Sequence, residues 1–161
     1  MELVYYPDDR LFAETGNVGV FDEVLQNILQ AMVGVMHDNY GIGLAAPQVG
    51  LTQRMFVVKI PEDKEARLFV NPVILETSAD TWEYEEGCLS IPEIYAPVQR
   101  SQTVLVRAQD QFGKKFTLEA NGLLGRVILH EMDHLNGVLF IDHLSKDVRE
   151  EQLILYNSIE R

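Results

Sequence analysis

Five consecutive residues in the last third of the chain, His130-Glu131-Met132-Asp133-His134, have the types and the spacing of a catalytic metal site. In an α-helix, residues i and i+4 lie one above the other on the same face, so the two imidazoles can converge on one ion. The glutamate after the first histidine stands where metal-dependent hydrolases carry their general base. Because the chain has only four histidines, a metal site explains this pair better than a core helix with two histidines by chance.

The flanking residues predict the helix that the histidine pair needs. Asn121 is a candidate N-cap, and Asn136-Gly137 is typical of a helix end. Leu123 and Val127 fall on the same stripe as the two histidines. A catalytic site of this kind takes three protein ligands and leaves a position for water, so a third ligand must come from elsewhere.

None of the candidate third ligands that follow the histidine pair in sequence has neighbours that direct it towards the pair. Phe140 stands where the long zinc-protease motif would carry a third histidine. His143 is near in sequence, but nothing around it directs it to the site. The tail offers only isolated carboxylates, namely Glu150, Glu151 and Glu160.

Cys88 is the remaining candidate for the third ligand. A thiolate with two imidazoles is a chemically sound set for zinc or ferrous iron. The alternative is a nucleophilic hydrolase in which Cys88 attacks and His130 is its base. That alternative gives His134 and Glu131 no role, whereas a metal site uses all four residues.

Elsewhere the chain has one predicted helix before a series of four predicted strands, and one more predicted helix after the histidine-bearing segment. Pro72 in the second strand predicts a sheet edge or a bend. Asp110-Gln111-Phe112-Gly113 predicts the loop of a β-hairpin. The predicted helices run from about Asp22 to Asp38 and from Ser145 to Leu155, and the predicted strands are Arg54–Ile60, Arg67–Leu75, Thr103–Ala108 and Lys115–Ala120.

Length, composition and charge place the chain among ordinary globular proteins. Its 161 residues suit a single domain over 1–161, with a short C-terminal tail from about 145. The formal net charge of −12 argues against direct nucleic-acid binding. No apolar run approaches the roughly 20 residues of a membrane span, and the start lacks the pattern of a signal peptide, so we expect a cytoplasmic protein. The single cysteine rules out an internal disulfide.

Three segments together resemble the motifs of the bacterial peptide deformylases. They are Gly41-Ile42-Gly43-Leu44-Ala45-Ala46-Pro47-Gln48, Glu86-Gly87-Cys88-Leu89-Ser90 and His130-Glu131-Met132-Asp133-His134-Leu135. They occur in the family's order, within a similarity that runs from about Leu3 to Ser145. The resemblance implies a single-domain α+β fold, with antiparallel β-sheets wrapped around a central metal-binding helix. It also implies an enzyme that removes the formyl group from the N-terminal methionine of nascent polypeptides.

The resemblance further implies one divalent ion and a role for each site residue. The ion is usually Fe2+ in the cell, and Zn2+, Ni2+ or Co2+ can replace it. Cys88, His130 and His134 match the metal ligands, and Glu131 matches the group that takes a proton from metal-bound water and later protonates the leaving amine. The water attacks the formyl carbon, and formate is released. Gln48 and the backbone N–H of Leu89 match the donors to the formyl oxygen, Glu86 would orient a ligand imidazole, and the methionine pocket would be lined by Ile42, Gly43, Leu123 and Val127.

Two departures from the bacterial pattern bear on partners. Tyr95 stands where many bacterial relatives carry a basic residue, which predicts different contacts with the residues after the methionine. The tail beyond Ser145 is short and acidic, whereas many relatives have a longer basic helix implicated in ribosome docking. Stable docking is therefore not expected here, and a transient contact is left open.

Two other classes of function stay open beside this one. A metallohydrolase that acts on another small amide would share the metal site and differ in its pocket. A non-catalytic protein with a structural metal would usually supply four protein ligands and would have no reason to keep an unliganded glutamate beside them.

Overall fold

The computed structural model describes residues 1–159, which contain three helices and seven strands. The helices are α1 (Glu23–Asp38), α2 (Gly122–Leu135) and α3 (Lys146–Ser158). The strands are β1 (Gly43–Ala45), β2 (Met55–Val58), β3 (Arg67–Thr77), β4 (Thr81–Cys88), β5 (Ile91–Ser101), β6 (Thr103–Gln109) and β7 (Lys115–Asn121). Short 3-10 turns lie at Asp9–Phe12, Ala46–Val49 and Phe140–His143.

The strands form one five-stranded antiparallel sheet and one separate hairpin. The order in the larger sheet is β1-β2-β3-β6-β7, and β4 pairs with β5. The predicted hairpin of β6 and β7 is confirmed, with Gln109 opposite Lys115. Its loop is stabilised by Asp110, whose Oδ1 accepts from the backbone N–H groups of Phe112 at 2.9 Å and Lys114 at 3.0 Å.

Helix α2 follows directly from β7 and lies in the middle of the molecule. It packs against strands of the larger sheet and against β5, and nine of its residues are buried. It ends at Asn136 and Gly137 as predicted, and Gly137 has φ +73°. Asn121 occupies the N-cap position, but its side chain makes no capping hydrogen bond. This is the α+β arrangement that the resemblance implied, in which antiparallel sheets surround the histidine-bearing helix.

The other two helices close the two sides of the core. Helix α1 begins after Asp22, whose Oδ1 accepts from the N–H of Leu25 at 3.0 Å, and it buries its apolar stripe against β1 and β2. Helix α3 begins after Ser145, whose Oγ accepts from the N–H of Val148 at 3.3 Å. The buried Tyr156 attaches α3 to the N-terminal segment, because its hydroxyl donates to the carbonyl of Tyr6 at 2.9 Å. No helix within residues 1–159 is both long enough and apolar enough to cross a bilayer.

The prediction of a sheet edge or a bend at Pro72 is confirmed. Strand β3 lies between β2 and β6, but its pairing with β2 ends at Val70, so at Pro72 only the side towards β6 belongs to a strand pair. The pairing register with β6 also shifts between Val70 and Val73, and Asn71 has φ +51°. A bulge of this kind removes the need for a ladder N–H at the proline. The sequence analysis made no assignment for Ile91–Ser101, where two prolines weaken the strand signal, and this segment forms β5 in a two-stranded hairpin.

Candidate metal centre

Three side chains of types that can bind a metal converge where the end of β4 meets α2. His130 and His134 lie one helical turn apart, with ring centroids separated by 5.1 Å. The Sγ of Cys88 lies 3.3 Å from Nε2 of His134, and one ligand atom from each of the three residues lies within 4.8 Å of the others. Among residues 1–159 this is the one group of histidine, cysteine and acidic side chains that could hold an ion.

The alternative third ligands lie elsewhere. Nε2 of His143 forms a hydrogen bond with Oδ2 of Asp133 at 2.8 Å and does not join the three-residue group. Glu150 and Glu151 are exposed on α3, and Glu160 lies outside the described residues. The structure thus brings Cys88, and no described tail residue, to the histidine pair.

A tight hairpin presents the cysteine. Cys88 ends β4, and the two-residue turn Leu89-Ser90 leads back into β5. The ring of Tyr95 lies over Gly87, where a Cβ atom would come within 2.6 Å of Cε1 of the tyrosine. The pairing register shifts between Gly87 and Cys88, and such irregularities redirect a side chain. A side chain directly before the candidate ligand would therefore have to displace the ring of Tyr95.

Glu86 orients His130 from the same hairpin. Nδ1 of His130 lies 2.9 Å from Oε1 of Glu86, so an Nδ1–H that donates to the carboxylate leaves Nε2 to face the cysteine. Glu86 also accepts from Nε of Arg100 at 2.6 Å, from Nη2 of Arg100 at 3.0 Å, and from Nη1 of Arg126. Burial alone would raise the pKa of Glu86, but the hydrogen bonds from His130 and Arg100 outweigh it and hold that pKa below its ordinary value. The carboxylate is therefore ionised.

The sequence analysis missed the two arginines. Both are buried, Arg100 at 7% exposure and Arg126 at 2%. Two local signals could have identified them. Arg126 precedes His130 by four residues and therefore lies on the same face of α2. Arg100 continues the alternation of buried residues along β5, after Ala96 and Val98.

Glu131 lies beside the three candidate metal ligands, and one oxygen of its carboxylate has no hydrogen-bond partner among residues 1–159. The side chain is 3% exposed, and its buried Oε1 meets no hydrogen-bond donor within residues 1–159. Oε2 faces the backbone of Gly43, where a Cβ atom would lie 2.5 Å away. Burial is the main reason that the pKa of Glu131 is raised to about 7. A carboxyl group with this pKa can both take up and return a proton near neutral pH.

Gln48 points its amide donor at the same place. The side chain is 1% exposed, and its Oε1 accepts from the N–H of Ala45 at 2.9 Å. This contact orients Nε2, which lies 3.4 Å from Sγ of Cys88 and 3.2 Å from Oγ of Ser90. Leu89, the other predicted donor, directly follows Cys88 in the hairpin turn.

A cavity of about 610 Å³ opens onto these residues. Cys88, His130, Glu131 and Gln48 are among the residues that line it. The four residues predicted for a methionine pocket also line it, namely Ile42, Gly43, Leu123 and Val127. The sequence analysis did not single out Tyr5, Tyr40 and Tyr84, which contribute to the lining, as does Tyr95.

The three side chains fit a divalent transition metal. A thiolate with two imidazoles is a donor set of catalytic zinc and iron sites. Burial alone lowers the pKa of His130, but its contacts with Cys88 and Glu86 raise that pKa well above the ordinary value, so this position stabilises positive charge. Burial, with His130 nearby, lowers the pKa of His134 and keeps that imidazole in its neutral, metal-binding form.

Comparison with known proteins gives one consistent result. The family model described as polypeptide deformylase matches residues 1–150. A peptide deformylase of Borreliella burgdorferi is 44% identical over 158 residues, which cover 97% of this chain and 94% of that protein. A peptide deformylase of Chromobacterium violaceum is 48% identical over 147 residues, or 91% of this chain and 87% of that protein.

Solved structures agree with the sequence matches. A peptide deformylase from Legionella pneumophila superposes with a TM-score of 0.90 at 41% identity, covering 97% of this chain and 94% of that one. A peptide deformylase from Synechococcus elongatus, in complex with actinonin, gives a TM-score of 0.93 at 39% identity over 97% of this chain and 87% of that one. The chain therefore belongs to the polypeptide deformylase family, the metal-dependent hydrolases that remove the formyl group from the N-terminal methionine of newly made polypeptides.

Proposed function

We propose that Cys88, His130 and His134 bind the single metal ion of this deformylase, and that Glu131 carries protons during hydrolysis. The observation that carries the proposal is the convergence of the half-buried Cys88 and two buried histidines beside a glutamate with an unpartnered oxygen. The rival mechanism, with Cys88 as nucleophile and His130 as its base, has no use for His134. Yet Nε2 of His134 also lies 3.3 Å from the cysteine sulfur.

The ion that we propose for the cell is Fe2+, with Zn2+, Ni2+ or Co2+ able to take its place. Imidazole and thiolate ligands suit all of these ions, and the open side of the donor group faces the cavity. When bound, the ion supplies a Lewis acid that polarises the formyl carbonyl and lowers the pKa of water.

Glu131 takes a proton from the attacking water and later delivers it to the amine that leaves the formyl carbon. Its raised pKa of about 7, which burial causes, suits both steps. The close backbone approach of Gly43 holds Oε2 on one side, so the carboxylate has little freedom to turn away. Formate and a free N-terminal methionine are the products.

The developing negative charge on the formyl oxygen is stabilised by two donors. The contact of Oε1 of Gln48 with the N–H of Ala45 already orients Nε2 of Gln48 towards Cys88. The N–H of Leu89 is the second donor, supplied by the residue next to Cys88. Donors held in place before the reaction stabilise the transition state without reorganising.

The methionine side chain fits the apolar wall of the cavity. Ile42, Leu123 and Val127 supply apolar surface there, and Gly43 leaves room between them. An unbranched thioether fills an irregular apolar pocket well. The peptide after the methionine would pass the exposed ring of Tyr95, which is 59% exposed.

We further propose that residues 1–161 work as one catalytic domain in the cytoplasm, where nascent chains carry the formyl group. A lasting dock on ribosomal RNA is not part of this proposal. The exposed side of α3 carries Asp147, Glu150 and Glu151, and carboxylates on that helix repel phosphate. Any ribosome contact would be transient.

Release of formate from formyl-Met-Ala-Ser, measured with metal content on anaerobically purified protein, tests the proposal. Acetyl-Met-Ala-Ser serves as the control substrate, because a general amidase would hydrolyse both. We expect about one ion per chain, activity on the formyl peptide alone, and loss of both metal and activity in Cys88→Ser.

The matched control variant is Glu83→Gln, an exposed position on β4 that lies outside the cavity. It should keep full metal content and turnover. Full metal in Cys88→Ser would exclude the cysteine as a ligand. Activity that survives complete removal of metal by a chelator would favour the nucleophilic mechanism.

A further inference from the structure

We infer that Arg126 is a positioning residue for the metal centre, and that it acts through Glu86 on the imidazole of His130. The inference rests on the ligand set proposed above. Nη1 of Arg126 donates to Oε2 of Glu86, and Oε1 of the same carboxylate accepts from Nδ1 of His130 at 2.9 Å. The arginine therefore holds one oxygen of Glu86 while the other oxygen holds the ligand ring.

Arg126 also attaches α2 to the hairpin that carries the cysteine. Its Nη1 donates to the carbonyl of Val98 on β5 at 2.9 Å, and its Nη2 donates to the carbonyl of Trp82 on β4 at 2.8 Å. Two candidate ligands lie on α2 and the third lies at the end of β4. A single buried guanidinium thus connects the two elements whose relative position sets the spacing of the donors.

Two aromatic rings hold the guanidinium in place. Cζ of Arg126 lies 4.5 Å from the ring centroid of Trp82 and 5.5 Å from that of Tyr84. A planar guanidinium that stacks on rings and donates to several acceptors cannot be replaced by a compact ammonium without losing contacts. A lysine here would keep the charge and only part of the geometry.

Arg126 is not redundant with Arg100. The guanidinium of Arg100 is divided between Glu86 and Asp133, whose Oδ2 accepts from its Nη1 at 2.9 Å. Arg126 pairs with Glu86 alone among the carboxylates of residues 1–159. Without Arg126, Glu86 would share one guanidinium with Asp133 and lose the contact that opposes its movement away from His130.

Positioning and charge predict opposite effects on metal binding. If Arg126 acted only as a nearby positive charge, its removal would strengthen the binding of a cation. If it acts by holding Glu86, its removal weakens metal binding, because loss of a residue that orients a ligand histidine typically lowers metal affinity by about 10–100-fold. The sign of the change therefore separates the two roles.

Titration of metal-free protein with Co2+ under anaerobic conditions tests the inference. The thiolate-to-cobalt absorption band reports the cysteine ligand, and the visible bands report the coordination geometry. We expect Arg126→Met to raise the Kd for Co2+ by about 10–100-fold and to change the visible bands, and Arg126→Lys to recover part of the affinity. If Arg126→Met does not fold, Arg126→Lys and Arg126→Gln carry the comparison with wild type.

Two control variants separate positioning from general effects. Leu29→Ala creates a cavity in the buried face of α1 and should lower the Tm with an unchanged Kd. Arg67→Met removes an arginine that pairs with Asp63 and changes the net charge by the same amount as Arg126→Met. Its Kd should also stay unchanged.

An unchanged or tighter Kd in Arg126→Met would overturn the inference, as would an equal loss of affinity in either control. Those outcomes leave the proposed ligand set intact, because wild-type protein would still show the thiolate band. A wild type without that band would overturn the ligand set, and this inference would fail with it.

Discussion

Glu86→Gln tests the buried charge network at its centre and keeps the shape of the side chain. The carboxylate of Glu86 takes part in four hydrogen bonds, two with Arg100, one with Arg126 and one with His130. It is 6% exposed, so water cannot replace the lost contacts. The substitution leaves Arg100 with Asp133 as its remaining carboxylate, and it leaves Arg126 with no carboxylate partner among residues 1–159.

The size of the effect follows from these contacts. The amide of glutamine keeps one acceptor oxygen and turns the other into a donor, so at least two charge-assisted hydrogen bonds are lost. Each such bond is worth about 1.5–3 kcal/mol, and breaking a buried ion pair costs about 3–5 kcal/mol. We expect the free energy of unfolding to fall by about 3–5 kcal/mol, a large part of the roughly 5–15 kcal/mol typical of a domain.

Urea denaturation of metal-free protein measures this loss directly. An m-value equal to that of wild type is the sign that Glu86→Gln also unfolds in two states. Glu83→Gln makes the same chemical change at an exposed position of β4 and should stay within about 0.5 kcal/mol of wild type. A loss below about 1 kcal/mol in Glu86→Gln would refute the reasoning. It would mean that the two arginines find other acceptors, and that Glu86 does not organise the network.

Three substitutions probe the chemistry in the same cavity. Glu131→Gln should keep metal and fold while kcat falls by about 10²–10⁴-fold, and near-normal turnover of formyl peptide would contradict the acid–base role. Gln48→Ala should lower kcat by about 10²–10³-fold with a much smaller change in KM, whereas a raised KM at unchanged kcat would mean that the residue only binds ground-state substrate. Gly43→Ala should cost about 1–3 kcal/mol of stability and reduce turnover, because the new Cβ would lie 2.5 Å from Oε2 of Glu131 and 2.8 Å from Cγ1 of Val127. Wild-type stability and turnover in Gly43→Ala would show that the backbone of Gly43 does not pack tightly against Glu131.

Local pattern was enough for the elements whose hydrogen bonds join residues close in sequence. The apolar spacing predicted α1, and the side chain of Asp22 caps it. The same periodicity placed both histidines on one face of α2, and the loop at Asp110 predicted the β6–β7 hairpin. Helices and tight hairpins close their hydrogen bonds within a few residues, so the information that specifies them is local.

The three motifs also carried the identity of the family, which the match over residues 1–150 confirms. A motif combines short strings whose order and separation rarely occur by chance, so it can indicate an activity before any contact is known. The helix alone, in contrast, left the third ligand open among Cys88, His143 and the tail carboxylates.

Only the tertiary structure shows how packing brings distant residues to the histidine pair, and it adds two buried arginines that the sequence analysis missed. Cys88 and His134 are 46 positions apart, and their meeting depends on how the hairpin of β4 and β5 packs on α2. Local pattern assigns a charged residue of a helix to solvent, yet Arg126 is buried because the hairpin supplies a carboxylate, two carbonyls and two aromatic rings around it. Whether a charge can be buried depends on partners that another element brings to it, and no window of sequence around Arg126 contains those partners.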